Sequence, residues 1–215
     1  MSLVGWRTLY RTVGRGVAHC ERCGGDRAIW RRAGRRWMHL LGVPLVPAGA
    51  AAEHLACTVC QTCYRVELLA VPTVAQMRAA LAAGTKAAVL AVLRAGCAAA
   101  RPPSPATRRR AVDLIRRSGV AGYGEDSLAR DLAAAGDPVA RPGSEPGGLV
   151  IERLALQLEE HAREWFLASV VQVGLDGGRL GEPERAAVGA IARCLGVSQA
   201  RASDVIWMAE AAQAG

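Results

Sequence analysis

The spacing of apolar positions changes near residue 71. Before it, apolar runs are short; the stretch 64–68 (YRVEL) alternates apolar and charged residues, the period of a half-buried strand. The stretch 37–49 (WMHLLGVPLVPAG) has strand-like apolar residues too, but its two prolines restrict it to an edge or an irregular strand because proline lacks a backbone donor. The pattern therefore predicts short strands and turns over residues 1–70.

Helical spacing begins after Pro72 and continues to the end of the chain. The predicted helices are an alanine-rich pair around 73–95, one at 105–117 started by Ser104 and Pro105, one at about 125–135, one at roughly 149–174, one opened by Pro183 and closed by Gly196, and one capped by Ser198. On the helix at 149–174 we expect a core-facing stripe of Val150, Leu154, Leu158, Trp165 and Val173.

These elements predict an α+β protein with a small β domain at 1–71 and an all-helical domain at 72–215. A faint internal repeat pairs Gly96 with Gly174 and Pro105 with Pro183. The helical domain therefore divides into two related halves, 72–135 and 149–215. A proline- and glycine-rich loop at 136–148 joins them.

Cysteine pairs in the first domain predict a structural zinc site. The first pair, Cys20-Glu-Arg-Cys23, is followed by two glycines, which allow the tight turn that brings two thiolates to one ion. The stretch 57–63 (CTVCQTC) supplies the second pair across a hairpin. Two C-x-x-C pairs at this separation are typical of zinc with four cysteine ligands. The predicted ligands are Cys20, Cys23, Cys57 and Cys60, with Cys63 as the alternate ligand.

The second pair can be read in two registers. Cys57 with Cys60 leaves Tyr64 four residues past the last ligand, a spacing common in zinc ribbons, and is favoured over Cys60 with Cys63. Gln61 stands where a glycine would ease the turn. His19, His39 and His54 could each replace a cysteine, but four sulfurs suffice, so we expect them to be ordinary strand or surface residues.

Composition adds a basic balance that is concentrated at the amino end. The formal charge is +8, and Lys86 is the only lysine among 27 basic residues. Residues 1–70 hold ten arginines and four acids. A crowded set could neutralise phosphates, although solvated faces explain it equally well. That set, which we expect to crowd one turn, is Arg31, Arg32, Arg35 and Arg36.

The loop 175–184 is the remaining candidate site. Asp176 and Glu184 could hold a hard cation through oxygen ligands, but a turn and a helix start explain the same residues structurally. The sequence offers no Ser/His/Asp array and no phosphate-binding glycine loop. We therefore predict no enzymatic activity.

Two family resemblances span nearly the whole chain. The stretch CERCGGDR…GRRW…VPLVP…CTVC resembles the zinc-ribbon module found ahead of helical domains in actinobacterial proteins. The stretch LDGGRLGEPERAAVGAIARCLGVSQ resembles the tellurite-resistance TerB family, through Asp176-Gly177, Glu184 and Leu195-Gly196. That resemblance implies an all-helical domain of two halves and a role in tellurite or other stress resistance as a metal-sensing or scaffolding module.

The sequence thus predicts a non-enzymatic, zinc-binding adaptor of TerB type with protein partners. The alternative is a nucleic-acid-binding zinc ribbon with a helical partner-binding or dimerisation domain. A third hypothesis is a thiol-redox protein, which is disfavoured because no β-α-β unit precedes the cysteine pairs. We see neither a signal peptide nor an uncharged apolar run of membrane-spanning length, so we expect a cytoplasmic protein with reduced cysteines.

Overall fold

The computed structural model describes residues 4–40, 43–134, 146–175 and 178–214. It divides into two compact units, Met1–Gln76 and Met77–Gly215. A four-stranded sheet lies in the first and helices fill the second, which confirms the α+β class. Most of the predicted loop at 136–148 lies outside the described residues.

Four antiparallel strands form one sheet in the order β1-β2-β3-β4. Their bounds are Val4–Cys20 for β1, Gly25–Leu40 for β2, Val43–Cys57 for β3 and Cys63–Tyr64 for β4. The prediction of short strands was wrong, because β1 alone has 17 residues. The sheet is largely exposed on both faces away from the cysteines, so the apolar–polar alternation that marks a strand is weak there.

The prolines of β3 lie where the sequence placed them, on an irregular edge. Pro44 pairs with His39 and Pro47 with Trp37, beside two shifts of the β2–β3 register. β4 pairs only with Leu55 and Ala56, so the proline-containing part of β3 has β2 as its single neighbour. That confirms the edge or irregular placement for the proline-containing part. The rest of the predicted stretch, 37–40, lies in β2, which pairs with strands on both sides, so one strand over 37–49 was wrong.

The predicted strand at 64–68 was wrong beyond Tyr64. A 3-10 turn, Val66–Ala70, follows β4 instead. Tyr64 and Leu68 still pack against the small core of this unit, formed by Ala18, Ile29 and Leu55. The same side chains thus reach the core from a turn, which a two-residue alternation cannot distinguish from a strand.

Seven helices are described: α1 Val74–Ala98, α2 Pro105–Arg117, α3 Glu125–Ala133, α4 Pro146–Ala155, α5 Glu160–Gly174, α6 Glu182–Cys194 and α7 Gln199–Ala214. The helix at 105–117 is confirmed with its cap, since the Thr107 amide donates to Ser104 Oγ at 3.2 Å. Ser198 likewise accepts from the Arg201 amide at 3.3 Å at the start of α7.

Two helix predictions need correction. The alanine-rich pair at 73–95 is the single helix α1, whose middle (Gly84 and Thr85) is buried by packing and does not break. The helix at 149–174 is two helices, α4 and α5, separated by a turn at 156–159. Because that turn resets the helical phase, Trp165 is 67% exposed and does not face the core.

A polar network joins α1 to α3. Lys86 Nζ lies 2.8 Å from Asp131 Oδ2, and the Tyr123 hydroxyl donates to the same carboxylate at 2.7 Å. Burial would raise the pKa of Asp131, but the hydrogen bonds from Lys86 and Tyr123 outweigh it and lower that pKa. Burial and the Asp131 contact raise the pKa of Tyr123. The network therefore requires an ionised Asp131.

We expect Asp131→Asn to destabilise the helical unit by about 1–2 kcal/mol at neutral pH, because a charge-assisted pair is lost. Since the folded pKa is lowered, this contribution is complete above the unfolded value of about 3.9 and disappears as pH falls through the folded value. Urea unfolding of wild type and variant at several pH values measures it. The difference in unfolding free energy between wild type and variant should disappear in acid, and a difference that stays constant would contradict this account. So would an equal loss from Asp113→Asn, which changes an exposed carboxylate.

One helical stretch in the described residues, Val66–Ala98, is long and apolar enough to cross a membrane by length and composition alone. It carries Lys86, and several of its apolar residues are buried within the helical unit, among them Ala88, Val89 and Val92. A core helix meets the same criteria, so this is weak evidence for a membrane span.

Candidate metal centre

Four cysteines converge at the end of the sheet where β1 meets β2. Their sulfur atoms all lie within 4.8 Å of one another, so the group could hold a metal ion. Cys20 Sγ is 3.5 Å from Cys60 Sγ, and Cys23 Sγ is 4.0 Å from Cys57 Sγ. The structure thus brings together the four predicted ligands, two from each C-x-x-C pair.

These separations suit one tetrahedral ion. Sulfurs bound at about 2.3 Å in a tetrahedron lie about 3.8 Å apart, close to the two distances given above. Cys20 and Cys57 are buried at the ends of β1 and β3, whereas Cys23 and Cys60 are partly exposed. A four-sulfur tetrahedron is chemistry that zinc or iron can use.

Each of the two cysteine turns ends in a residue with a left-handed backbone. Gly24, directly after Cys23, has φ 65°, and Gln61, directly after Cys60, has φ 58°. The Gly24 amide donates to Glu21 O at 3.2 Å, and the Gln61 amide donates to Cys57 O at 3.1 Å. Both turns therefore place a left-handed residue directly after the second cysteine of the Cys20–Cys23 and Cys57–Cys60 pairs, a conformation that glycine adopts most readily. The closing bonds differ, because the first spans three residues and the second spans four.

We expect Gln61→Gly to stabilise the metal-bound protein by about 0.5–1 kcal/mol, because a non-glycine residue pays for a left-handed backbone. The exposed hydrogen bond from Gln61 Nε2 to Thr58 O at 3.2 Å would be lost, which makes the gain modest. Denaturant midpoints measure the effect, with Gly24→Ala as the matched change expected to destabilise. If Gln61→Gly destabilised the protein, the Cys57–Cys60 turn would be wrong.

Hydrogen bonds set the electrostatics of the sulfurs unequally. The Tyr64 hydroxyl, 3.1 Å from Cys20 Sγ, lowers the pKa of that thiol against the effect of burial, and the same contact raises the pKa of Tyr64 to about 12. The Thr62 hydroxyl, 3.2 Å from Cys60 Sγ, and the Thr62 amide lower the pKa of Cys60 to about 6. Both contacts favour thiolates.

Cys23 shows the opposite behaviour. Burial and then the neighbouring sulfurs raise the pKa of Cys23 to about 12. Thiolates this close repel one another, so ionising some of them opposes ionising the rest. A divalent cation at the centre would remove that opposition and hold all four as thiolates.

The remaining candidate ligands lie outside the sulfur group. Cys63 is exposed, and its Sγ lies 3.8 Å from Gln61 O. His19 Nδ1 lies 3.7 Å from Asp26 Oδ1, and the His54 ring packs edge-on against Tyr10 with ring centres 4.6 Å apart. His39 lies on β2, paired with Gly5.

Asp26 stabilises the chain next to the cysteine group, a role that the sequence analysis did not predict. Its carboxylate accepts hydrogen bonds from the amides of Val74 and Ala75 at 3.2 and 3.1 Å, which are the first residues of α1. These bonds, the Ala75 one foremost, lower the pKa of Asp26. The acidic residue just after the first cysteine turn thus satisfies free amides at a helix start. A contact 48 residues apart leaves no local signal in the sequence.

The second predicted cation site divides between described and undescribed residues. Asp176 lies outside the described part of the chain. Glu184 is in the first turn of α6, where its Oε2 lies 2.6 Å from Arg101. An arginine therefore already neutralises this carboxylate, which fits the structural explanation of the residue.

The predicted nucleic-acid contacts lie in β2, so their assignment to a turn was wrong. Alternation along the strand places Arg31 and Arg35 on one face and Arg32 and Arg36 on the other. Arg31 forms an ion pair with Glu53 at 2.6 Å, and the Arg32 guanidinium lies 5.1 Å from the centre of the Trp30 ring. They form two groups rather than one.

Comparisons with protein-family models, curated proteins and solved structures found no match to this chain. By its fold and its site, the chain is a two-unit α+β protein with a four-cysteine group able to hold a metal ion. Membership of the TerB family stays a prediction.

Proposed function

We propose that this chain is a non-enzymatic adaptor whose amino-terminal unit is held together by structural zinc. The observation that carries the proposal is the group of Cys20, Cys23, Cys57 and Cys60, with every pair of sulfurs within 4.8 Å. Four cysteine ligands leave no open position for substrate or water, which is the arrangement of a structural rather than a catalytic zinc site. The TerB-like resemblance of the helical unit supports a scaffolding role in tellurite or stress response.

Metal analysis of purified, untagged protein with thiol counting tests this proposal. We expect about one zinc per chain and four cysteines that resist mild alkylation until a chelator is added. Iron in place of zinc would contradict the metal assignment. A metal-free, fully ordered protein, or two cysteines that cycle between thiol and disulfide, would contradict the structural role.

Partner capture tests the adaptor part of the proposal. Wild-type protein and Cys57→Ser are compared in pull-downs from the native host, with Cys63→Ser as the matched control. A partner retained by wild type and Cys63→Ser but lost from Cys57→Ser would support a zinc-dependent adaptor. Turnover of a substrate by the purified protein would overturn the non-enzymatic assignment.

Nucleic-acid binding is the second candidate function, and the arginines of the sheet favour it. β1 carries Arg7, Arg11 and Arg15, and β2 carries the four arginines discussed above. Opposite them, Glu53 is the acidic residue of β3. A basic sheet beside a structural zinc could neutralise a phosphate backbone, with binding that weakens as salt rises.

A further inference from the structure

One face of the β1–β3 sheet combines aromatic rings with arginines. Directly opposite residues of an antiparallel pair share a face, and the pairs Trp6–Met38, Tyr10–Gly34, Thr12–Arg32 and Arg15–Trp30 follow one face along the sheet. We call this surface the Trp6 face. Its chemistry-bearing members are Trp6, Tyr10, Arg15, Trp30, Arg32 and Arg36.

The ring of Tyr10 lies over Gly34 on this face. A Cβ at Gly34 would lie 2.6 Å from Tyr10 Cε1, so glycine at that position leaves room for the ring. Beyond Gly34 the ring meets His54 edge-on. Tyr10 is nevertheless 50% exposed and Trp6 is 67% exposed. Both rings therefore present accessible aromatic surface beside the sheet.

The charge on the Trp6 face is positive and largely unopposed. Among the described residues, Arg15, Arg32 and Arg36 form no ion pair with a carboxylate, whereas Arg31 on the other face is neutralised by Glu53. Asp26 lies at the base of the face, and its carboxylate accepts the α1 amides. An anionic ligand would meet Arg36, which pairs with Thr8 between the two exposed rings, and then Arg32 and Arg15 further along the face.

We propose that the Trp6 face binds single-stranded nucleic acid, with bases stacked on Trp6 and Tyr10 and phosphates at Arg15, Arg32 and Arg36. The inference deepens the second candidate function and rests on it. Unpaired bases expose flat faces that stack on aromatic side chains, and arginines beside them follow the backbone. A duplex hides its base faces, and an acidic peptide would use the arginines without the rings.

Fluorescence anisotropy with labelled oligonucleotides of about 16 nucleotides, a length that covers a typical site, tests the proposal on the full chain. We expect single-stranded DNA or RNA to bind more tightly than duplex. Trp6→Ala should weaken binding about tenfold, the loss of one stacked base. Arg36→Ala should reduce the slope of log K against log salt by about 0.7, one phosphate contact.

Trp165→Ala and Arg193→Ala are the matched controls, because Trp165 is also 67% exposed and both residues lie on helices of the other unit. They should leave affinity and salt slope unchanged. No binding at ~50 mM salt, equal binding of duplex, or equal loss in Trp165→Ala would overturn the proposal. So would Trp6-dependent binding of anionic lipid vesicles or an acidic peptide without oligonucleotide binding. If zinc and partner capture persisted in that event, the adaptor function would stand.

Discussion

Cys57→Ser should abolish metal binding and unfold the amino-terminal unit, the largest effect we expect from any single substitution. Without the fourth sulfur, the ion loses a ligand in the middle of the site, and metal binding to such sites contributes about 10–16 kcal/mol. The apolar core that remains is small, with Ala18, Ile29 and Leu55 as its buried members. It cannot by itself offset the entropy of ordering strands of 15–17 residues.

The measurement combines metal content with circular dichroism, in the near ultraviolet for tryptophans and in the far ultraviolet for helices. Trp6, Trp30 and Trp37 lie in this unit. Tryptophan signals of the sheet should collapse while the helical signal persists, because the two cores of the helical unit contain only residues beyond 76. Chelation of wild type should reproduce the effect.

Cys63→Ser is the matched control, three residues from a ligand and identical in chemistry. Because Cys63 is exposed and outside the sulfur group, this variant should keep its metal and its fold. Equal metal loss from both variants would contradict the Cys57–Cys60 register. Metal lost from Cys63→Ser but kept by Cys57→Ser would show that the Cys60–Cys63 register is used. Full order in metal-free wild type would show that the ion is dispensable.

The sulfur site could be anticipated because its signal is local. Each C-x-x-C turn is complete within five residues, and Gly24 marks the first one openly. The second turn has the same left-handed backbone at Gln61. Glutamine tolerates that conformation poorly, so the residue type gives no sign of it. Spacing therefore predicted the ligands, whereas the shared geometry needed coordinates.

The long strands and the helix break were not predictable in the same way. In β1 and β2, arginines lie on both faces of a sheet that is largely exposed away from the cysteines, so no buried face imposes a two-residue pattern there. Between α4 and α5, apolar residues continue through the turn at 156–159 and mimic one helix. Leu156 lies in this turn and contradicts the single-helix prediction, because it is apolar yet 85% exposed.

The packing of α1 against α4 depends on a tertiary contact that the sequence pattern does not predict. Gly84, in the middle of α1, has a helix-weakening residue type, and a Cβ there would lie 2.5 Å from Leu154 Cδ2. Leu154 is fully buried. The glycine is therefore explained by the close approach of a leucine 70 positions further along the chain, a contact that periodicity cannot reveal.

Leu154→Ala should accordingly destabilise the helical unit by about 3 kcal/mol, because a buried leucine leaves a cavity. Urea unfolding followed by helical circular dichroism measures it. Leu156→Ala is the matched control and should cost almost nothing, since that side chain lies in solvent. Comparable losses from the two substitutions would mean that the α4–α5 turn is misplaced and the helix continues through it.

A double-mutant cycle then tests the contact itself. Gly84→Ala gains about 1 kcal/mol of helix propensity, yet we expect a net loss of about 1–2 kcal/mol because its methyl group collides with Leu154. In Gly84→Ala/Leu154→Ala the collision is gone and the methyl partly fills the cavity. The double variant should therefore lose less than the sum of the two single losses, by about 1 kcal/mol or more. Simple additivity would place Gly84 and Leu154 out of contact.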